Sequence, residues 1–162
     1  MSYFKSNYSY LWNEMYLSKS CIYAIRSVLL LASENDRKFI SIKEISEILN
    51  IPFHYLTKIL QSLSHSKIII SLKGPHGGVG LKRKSESISL YDVIIAMEGA
   101  DVFNQCTLGL ADCNEQDPCA LHYICYETKQ TLMNNMKNKS LKDVAQKISS
   151  SEFKTNTFAQ PV

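Results

Sequence analysis

Between residues 41 and 84 the apolar pattern changes period twice, and no other feature restricts the fold of this chain as much. Over 41–50, Ile42, Ile45, Ile48 and Leu49 recur at helical spacing. Ser41 and Glu44 open this segment at the capping-box spacing, in which each side chain satisfies the other's backbone donor. Asn50 and Ile51 supply a tight turn, and Pro52 suits the first position of a third helix, where its missing N–H is no loss. In that helix Phe53, Leu56, Ile59, Leu60 and Leu63 stand at core spacing, and His54, Tyr55, Thr57, Lys58 and Gln61 fill the opposite face. The period then changes. Residues 68–73 are β-branched, Gly74-Pro75-His76-Gly77-Gly78 is a turn, and 79–84 reads as a returning strand carrying Lys82, Arg83 and Lys84.

Two helices across a short turn match the helix-turn-helix pattern, which an ordinary helical hairpin shares. The basic hairpin decides between them, because a helix-turn-helix followed by a two-stranded wing is a winged helix. Glycines at the wing tip let the backbone approach a phosphate with no side chain in the way. The remaining elements are helical, so the expected class is mainly α. A first helix over 19–33 carries Ile22, Ile25, Val28, Leu29 and Ala32 and is expected to pack by one face. Ser89 and Asp92 open another helix through Val93, Ile94, Ala96 and Met97, with Gly99 as its stop. A long helix is expected from Pro118, capped by Asp117, to about residue 138. Ser140 and Asp143 open a last short helix to Ile148.

The organisation that follows is a flexible extension over 1–14, a winged helix-turn-helix DNA-binding domain over 15–99 and a cysteine-bearing loop over 100–118. A long helix and a short one occupy 119–148, and 149–162 form a polar, mobile tail. At 162 residues, 45% hydrophobic and 20% charged, the chain is an ordinary globular length and composition. Its most apolar stretch, 22–32, spans 11 residues and contains Arg26, too short and too polar to cross a membrane. The first residues lack the apolar region of a signal peptide, so the cytoplasm is the expected compartment and no membrane partner is expected. No glycine-rich dinucleotide loop follows a strand and no nucleophile–base pair is evident, which argues against an enzyme or an electron carrier.

Charge is unevenly spread. Residues 1–87 hold 12 Lys plus Arg against 6 acidic residues, net +6, whereas 88–162 hold 6 against 9, net −3. A basic half points to a polyanion, and nucleic acid is the commonest. A protein-interaction module would instead show no salt-dependent DNA binding.

Five cysteines form an odd set: Cys21 alone, and Cys106-x6-Cys113-x5-Cys119-x2-His122-x2-Cys125. In a reducing compartment such density points to metal or redox chemistry rather than disulfides. Thiolates suit soft or borderline metals and iron–sulfur clusters. The Cys-x2-4-Cys pair usual in structural zinc sites is absent, which disfavours zinc. With a helix from Pro118, Cys119 falls in its first turn, where the helix dipole favours a thiolate. Helical geometry puts Cys119 and His122 roughly 60° apart and Cys125 roughly 120° from Cys119. His122 is therefore a candidate ligand and Cys125 a core or interface residue. Cys21, beside Ile22 and Ile25, reads as a small buried hydrophobe.

Taken in order, the segments 17–26, 55–60, 73–78 and 88–99, then Cys106-Thr-Leu-Gly and Pro118-Cys-Ala-Leu-His122, resemble the Rrf-two family of bacterial transcriptional regulators, which includes IscR, NsrR and CymR. The resemblance covers roughly 15–148 and implies a homodimer, joined by the long C-terminal helix, on double-stranded DNA with an imperfect palindromic operator. The third helix would enter the major groove and the wing would touch the minor groove or backbone. Arg26, His54, Tyr55, Thr57, Lys58, Gln61, Lys73, Gly74, His76, Gly77, Gly78 and Lys82 are the expected DNA-binding residues. In the cluster-bearing branch, Cys106, Cys113 and Cys119 match the ligands of a 2Fe-2S or 4Fe-4S cluster, with His122 at the histidine ligand's position. The chain departs from the family in a first cysteine gap one residue longer, and in His76 and Val79 on the wing. Other members regulate without a cluster, so a cluster-free regulator responding through thiol oxidation or a partner protein is the alternative.

Overall fold

The computed structural model describes residues 17–34, 37–74 and 77–148. The expected extension over 1–14, the tail over 149–162 and His76 lie outside them. Helix α1 (Lys19–Ser33) is N-capped by Ser18, whose hydroxyl accepts the Cys21 N–H at 3.1 Å. It is the hub of the fold, touching α2 (Ile42–Leu49), α3 (Phe53–His65), strand β2 (Gly78–Leu81), α4 (Leu90–Glu98) and α6 (Leu141–Ala145). Burial consequently runs round it: Cys21, Tyr23, Ala24, Ser27, Val28, Leu29, Leu30 and Leu31 are buried, while Ile22, Ile25 and Ala32 are only half-buried. The expectation of a one-faced helix is thus corrected. A helix surrounded by its neighbours needs apolar residues on every side.

Ser41 caps α2 through the Glu44 N–H at 3.1 Å. The reciprocal half of the expected capping box is missing, because the Glu44 carboxylate takes Arg37 Nη1 at 2.6 Å instead. Asn50 ends α2 in the left-handed conformation (φ 51°), which Asn tolerates better than most residues. Pro52 is the N-cap of α3 rather than its first residue. Leu56, Ile59, Leu60 and Leu63 enter the core as expected, and Ile45, Leu49 and Ile51 join them. Phe53 does not. It is 45% exposed, being the first residue of α3 and beyond the edge of the core that Leu56 fills one turn later.

Strand β1 (Ile69–Leu72) pairs antiparallel with β2, Ile69 opposite Leu81 and Leu72 opposite Gly78. Ile40 adds a bridge to Val79 through backbone bonds of 3.0 and 2.9 Å, so the segment before α2 forms a third rail of the wing. Both strands are shorter than the sequence suggests, since Lys82 to Lys84 leave the ladder.

Full capping boxes start α4 (Ser89/Asp92) and α6 (Ser140/Asp143). The two starts are joined: Leu90 N–H donates to Lys139 O at 3.0 Å and Leu141 N–H to Ile88 O at 2.8 Å. Gly99 (φ 90°) stops α4 as expected. The long helix α5 (His122–Lys137) begins four residues later than expected, with Leu121 rather than Asp117 as its cap. The backbone before it is already committed: Asp117 O accepts the Asn114 N–H and Cys119 O accepts the His122 N–H in a turn. No residue of α5 is fully buried. Leu132, Met133 and Met136 anchor it against a small cluster of Cys21, Ile94 and Phe103, while Leu121, Tyr123, Ile124 and Tyr126 face solvent. Among the described residues, no helix is long and apolar enough to cross a membrane.

Candidate metal centre and nucleic-acid interface

The cysteine loop is held near its start, at residues 103–105, by side chains the sequence did not single out. Phe103 is buried and stacks on Tyr91 of α4, with ring centroids 5.8 Å apart. Lys129 Nζ donates to Gln105 O at 2.7 Å and Gln130 Nε2 to Asn104 Oδ1 at 3.3 Å, tying the loop to α5. A lone aromatic in an otherwise polar loop was the one available signal for Phe103. Nothing in the sequence marked Lys129.

Within this frame Cys106, Cys113 and Cys119 converge, their sulfurs all within 4.8 Å of one another. Cys106 Sγ lies 3.8 Å from Cys119 Sγ, and Cys113 Sγ lies 3.2 Å from His122 Nδ1. Cys119 is not in a helical first turn, so the expected dipole argument fails. It reaches the site through the turn before α5, its own N–H aimed at Cys113 Sγ at 3.5 Å. His122 is the first residue of α5, stacked on Tyr126 (centroids 6.0 Å apart, planes 6° apart) and edge-on to Tyr123. Cys125, one turn further along, lines the same cavity with Lys129 but stands outside the three-sulfur group. Cys21 is fully buried outside the three-sulfur group, its thiol pushed up to about 12 by burial with Glu98 adding to the effect.

The loop's thiols are unequal. The backbone N–H of Leu110, then that of Leu108, with the Cys113 and Cys119 sulfurs contributing, draws Cys106 down to about 7 against partial desolvation. For Cys113 the Cys119 N–H pulls downward, but desolvation and the neighbouring Cys119 and Cys106 sulfurs outweigh it and raise the pKa. Close sulfurs repel one another's charge, which drives the Cys106 and Cys113 values apart.

On α3, His54, Lys58 and Gln61 are exposed, as expected of a face that reads DNA, and Phe53 joins them. Thr57 is half-buried, its hydroxyl donating to Phe53 O at 2.8 Å. Tyr55 departs from the expected outer face: its ring packs on the core, edge-on to Tyr23, and its hydroxyl shares a 2.8 Å hydrogen bond with Ser20. Arg26 is half-buried with its guanidinium 5.7 Å from the Tyr23 ring centroid, and burial lowers its pKa. Lys73, Gly74 and Lys82 are exposed at the wing. The glycines there have internal reasons. A Cβ on Gly77 would meet Leu72 O at 2.3 Å, and one on Gly78 would meet Ile40 O at 2.2 Å. Only Gly74, at φ 116° with open space around it, is glycine for its backbone angle alone.

These features agree with what the chain is similar to. The Rrf2 family, described as iron-dependent transcriptional regulators, matches residues 17–147. A protein of Aquifex aeolicus described as an HTH-type transcriptional regulator is 30% identical over 132 residues, covering 80% of this chain and 91% of that one. Among solved structures, CymR, the global cysteine regulator of B. subtilis, superposes with a TM-score of 0.69 at 20% identity, covering 82% of this chain and 98% of that one. IscR of T. potens superposes at 0.67 and 18% identity, covering 89% and 96%. At those identities the two structures speak for the fold, a mainly helical winged helix. The family match extends over most of the sequence, and this chain therefore belongs to the Rrf2 family of transcriptional regulators.

Proposed function

We propose that the chain is a dimeric, operator-binding regulator of the cytoplasm whose cysteine loop holds the group that sets DNA affinity. The observation that carries this reading is the convergence of three thiols and an imidazole on a loop bonded to both α4 and α5.

Contact with DNA falls to the exposed face of α3 and the basic wing. Lys58, Lys73 and Lys82 would neutralise phosphates, giving affinity that falls steeply with salt. Phe53, His54 and Gln61 stand where base edges would be read, Phe53 and His54 in the N-terminal turn that usually reaches furthest into the groove. Tyr55 contributes from behind, holding α3 on α1 through Ser20 and Tyr23. Two copies would meet through the uncovered Leu121, Tyr123, Ile124 and Tyr126 of α5, since an apolar strip of that kind on a helix with no fully buried residue needs a cover. A two-fold dimer presents its recognition helices to half-sites about one helical turn apart, hence an imperfect palindrome.

The donor chemistry fits an iron–sulfur cluster: Cys106, Cys113 and Cys119 would hold it and His122 would be the fourth donor. Such a cluster supplies a centre that responds to oxidants, iron supply or nitric oxide. The chain's part is mechanical. Phe103 and Lys129 transmit any change of loop shape to α4 and α5, so the loop's occupant biases one arrangement of the dimer over another. A second reading rests on the 3.8 Å between Cys106 and Cys119. Peroxide would convert the Cys106 thiolate to a sulfenic acid, and the Cys119 thiol would displace water from it to give a disulfide.

The test is protein purified without oxygen. Absorption bands at about 320–420 nm with matching iron and sulfide would support the cluster. Colourless protein that forms the Cys106–Cys119 disulfide with peroxide would support the second reading. On DNA taken from a random-duplex selection, Lys58→Ala should weaken binding and lower the salt slope by about one. DNA affinity that is equal with and without the loop's occupant would overturn the regulatory link.

A further inference from the structure

A phenyl ring at the exposed start of α3 calls for a reason. Phe53 stands at the core spacing of Leu56, Leu60 and Leu63, yet it is 45% exposed while those three are buried. The ring is restrained: it meets His54 edge-on, with centroids 5.6 Å apart and planes at 81°. Its helix is restrained too, since Tyr55, two residues on, is edge-on to Tyr23 and shares a 2.8 Å hydrogen bond with Ser20. One turn beyond Phe53 on the same face, Thr57 donates its hydroxyl proton to Phe53 O at 2.8 Å, so that donor is spent inside the helix. Pro52 starts α3 with no side-chain cap, which leaves the positive end of the helix open to an anion, and Lys58 lies exposed further along. The surroundings suit a polyanion, but Phe53 brings neither charge nor hydrogen bond to them.

We propose that Phe53 reads the 5-methyl group of thymine, so that each operator half-site carries one thymine selected by its methyl. The inference rests on the operator-binding reading and names what one side chain of that surface selects. In the major groove every base pair offers hydrogen-bond donors and acceptors, and thymine alone adds an apolar group. A ring with no polar side-chain atom gains nothing from donors and acceptors, and covering them without pairing them is a cost. Contact with the methyl instead hides apolar surface on both partners. The edge-on packing against His54 limits where the ring can swing, so the contact falls at one position of the half-site rather than along the groove. Thr57, its donor already used, does not donate to the same base edge. His54, Lys58 and Gln61 are left to supply hydrogen bonds at neighbouring positions, where each has the polar group that Phe53 lacks.

The test is binding of the full-length protein to the operator recovered from random duplexes, with each thymine replaced singly by deoxyuridine. That replacement removes the methyl and keeps every hydrogen-bonding group. The expected result is one symmetry-related thymine in each half-site at which uracil weakens binding about fourfold, the worth of one buried methyl. The salt slope should stay the same, because no phosphate contact changes. Phe53→Ser, checked for an unaltered thermal transition, should bind the thymine and uracil operators equally at that position, and Phe53→Leu should keep part of the preference. Indifference of the parent protein to every replacement would overturn the proposal, as would a preference that persists undiminished in Phe53→Ser. Salt-dependent operator binding that survives either result would leave the operator-binding reading standing alone. A selection that enriches no duplex would overturn that reading and this inference together.

Discussion

The two halves of the molecule are built on opposite principles. From α1 through α4 the chain is basic and its apolar residues are enclosed: Val28, Ile45, Leu56, Leu63, Ile88 and Val93 are all fully buried. The cysteine loop and α5 are acidic by comparison and hold a single fully buried anchor, Phe103, with Leu108, Leu110, Tyr123 and Ile124 left to solvent. The first half has a hydrophobic core, which α6 completes with Leu141 and Ala145. The second half lacks such a core, and under the proposed reading an occupant for the thiols and a second copy on α5 would complete it. Under the proposed function this division would keep the DNA-reading geometry fixed while the cysteine loop and α5 respond.

The comparison can be broken most forcefully in the core. Leu56→Ala should cost about 2–5 kcal/mol of unfolding free energy, read by urea denaturation, because it leaves a cavity under α3. Ile124→Ser, at a residue 69% exposed, should leave the unfolding of the isolated chain almost unchanged. It should convert dimer to monomer in sedimentation velocity, and an unchanged dimer would remove α5 from the interface.

A second contrast lies between buried and loop cysteines. The pKa of Cys21 is raised from 9.0 to about 12 by burial, so the folded state favours the neutral thiol. That contribution to stability is fully present below pH 9 and is lost as pH rises towards 12. Cys21→Val should flatten this part of the alkaline decline relative to the parent protein, measured as unfolding free energy against pH.

Smaller effects sharpen the boundary between the halves. Ser140→Ala removes the hydroxyl that accepts the Asp143 N–H at 3.1 Å and should cost about 1 kcal/mol. Phe53→Ser should change stability by no more than about 0.5 kcal/mol, since its ring is largely exposed, yet lower operator affinity several-fold. A large stability loss there would return Phe53 to the core where its spacing had placed it.

Much of this fold was legible because its signals are local. The Ser–Asp pairs at 89/92 and 140/143 and the glycine at 99 act within a turn of backbone, and each does in the structure what its spacing implied. The change from helical to strand pattern at Ile68 is local too. The failures involve partners beyond the turn that the pattern describes. Glu44 forsook its capping box for Arg37, Tyr55 turned inward to Ser20, and α1 proved to be surrounded. The start of α5 moved from Pro118 to His122 because the residues between had given their backbone groups to the cysteine loop.

The sequence by itself determined the winged helix-turn-helix, the basic face on its third helix, and the clustering of four cysteines and a histidine within 20 residues. Those are matters of period, capping and composition, which a chain carries wherever it goes. Only the tertiary structure decided which donors meet and how closely. Phe103 on Tyr91 and Lys129 on Gln105 hold the Cys106 end of the loop against two helices, and the turn before α5 carries Cys119 to it. Spacing along a chain bounds such a distance from above, and packing alone fixes its value.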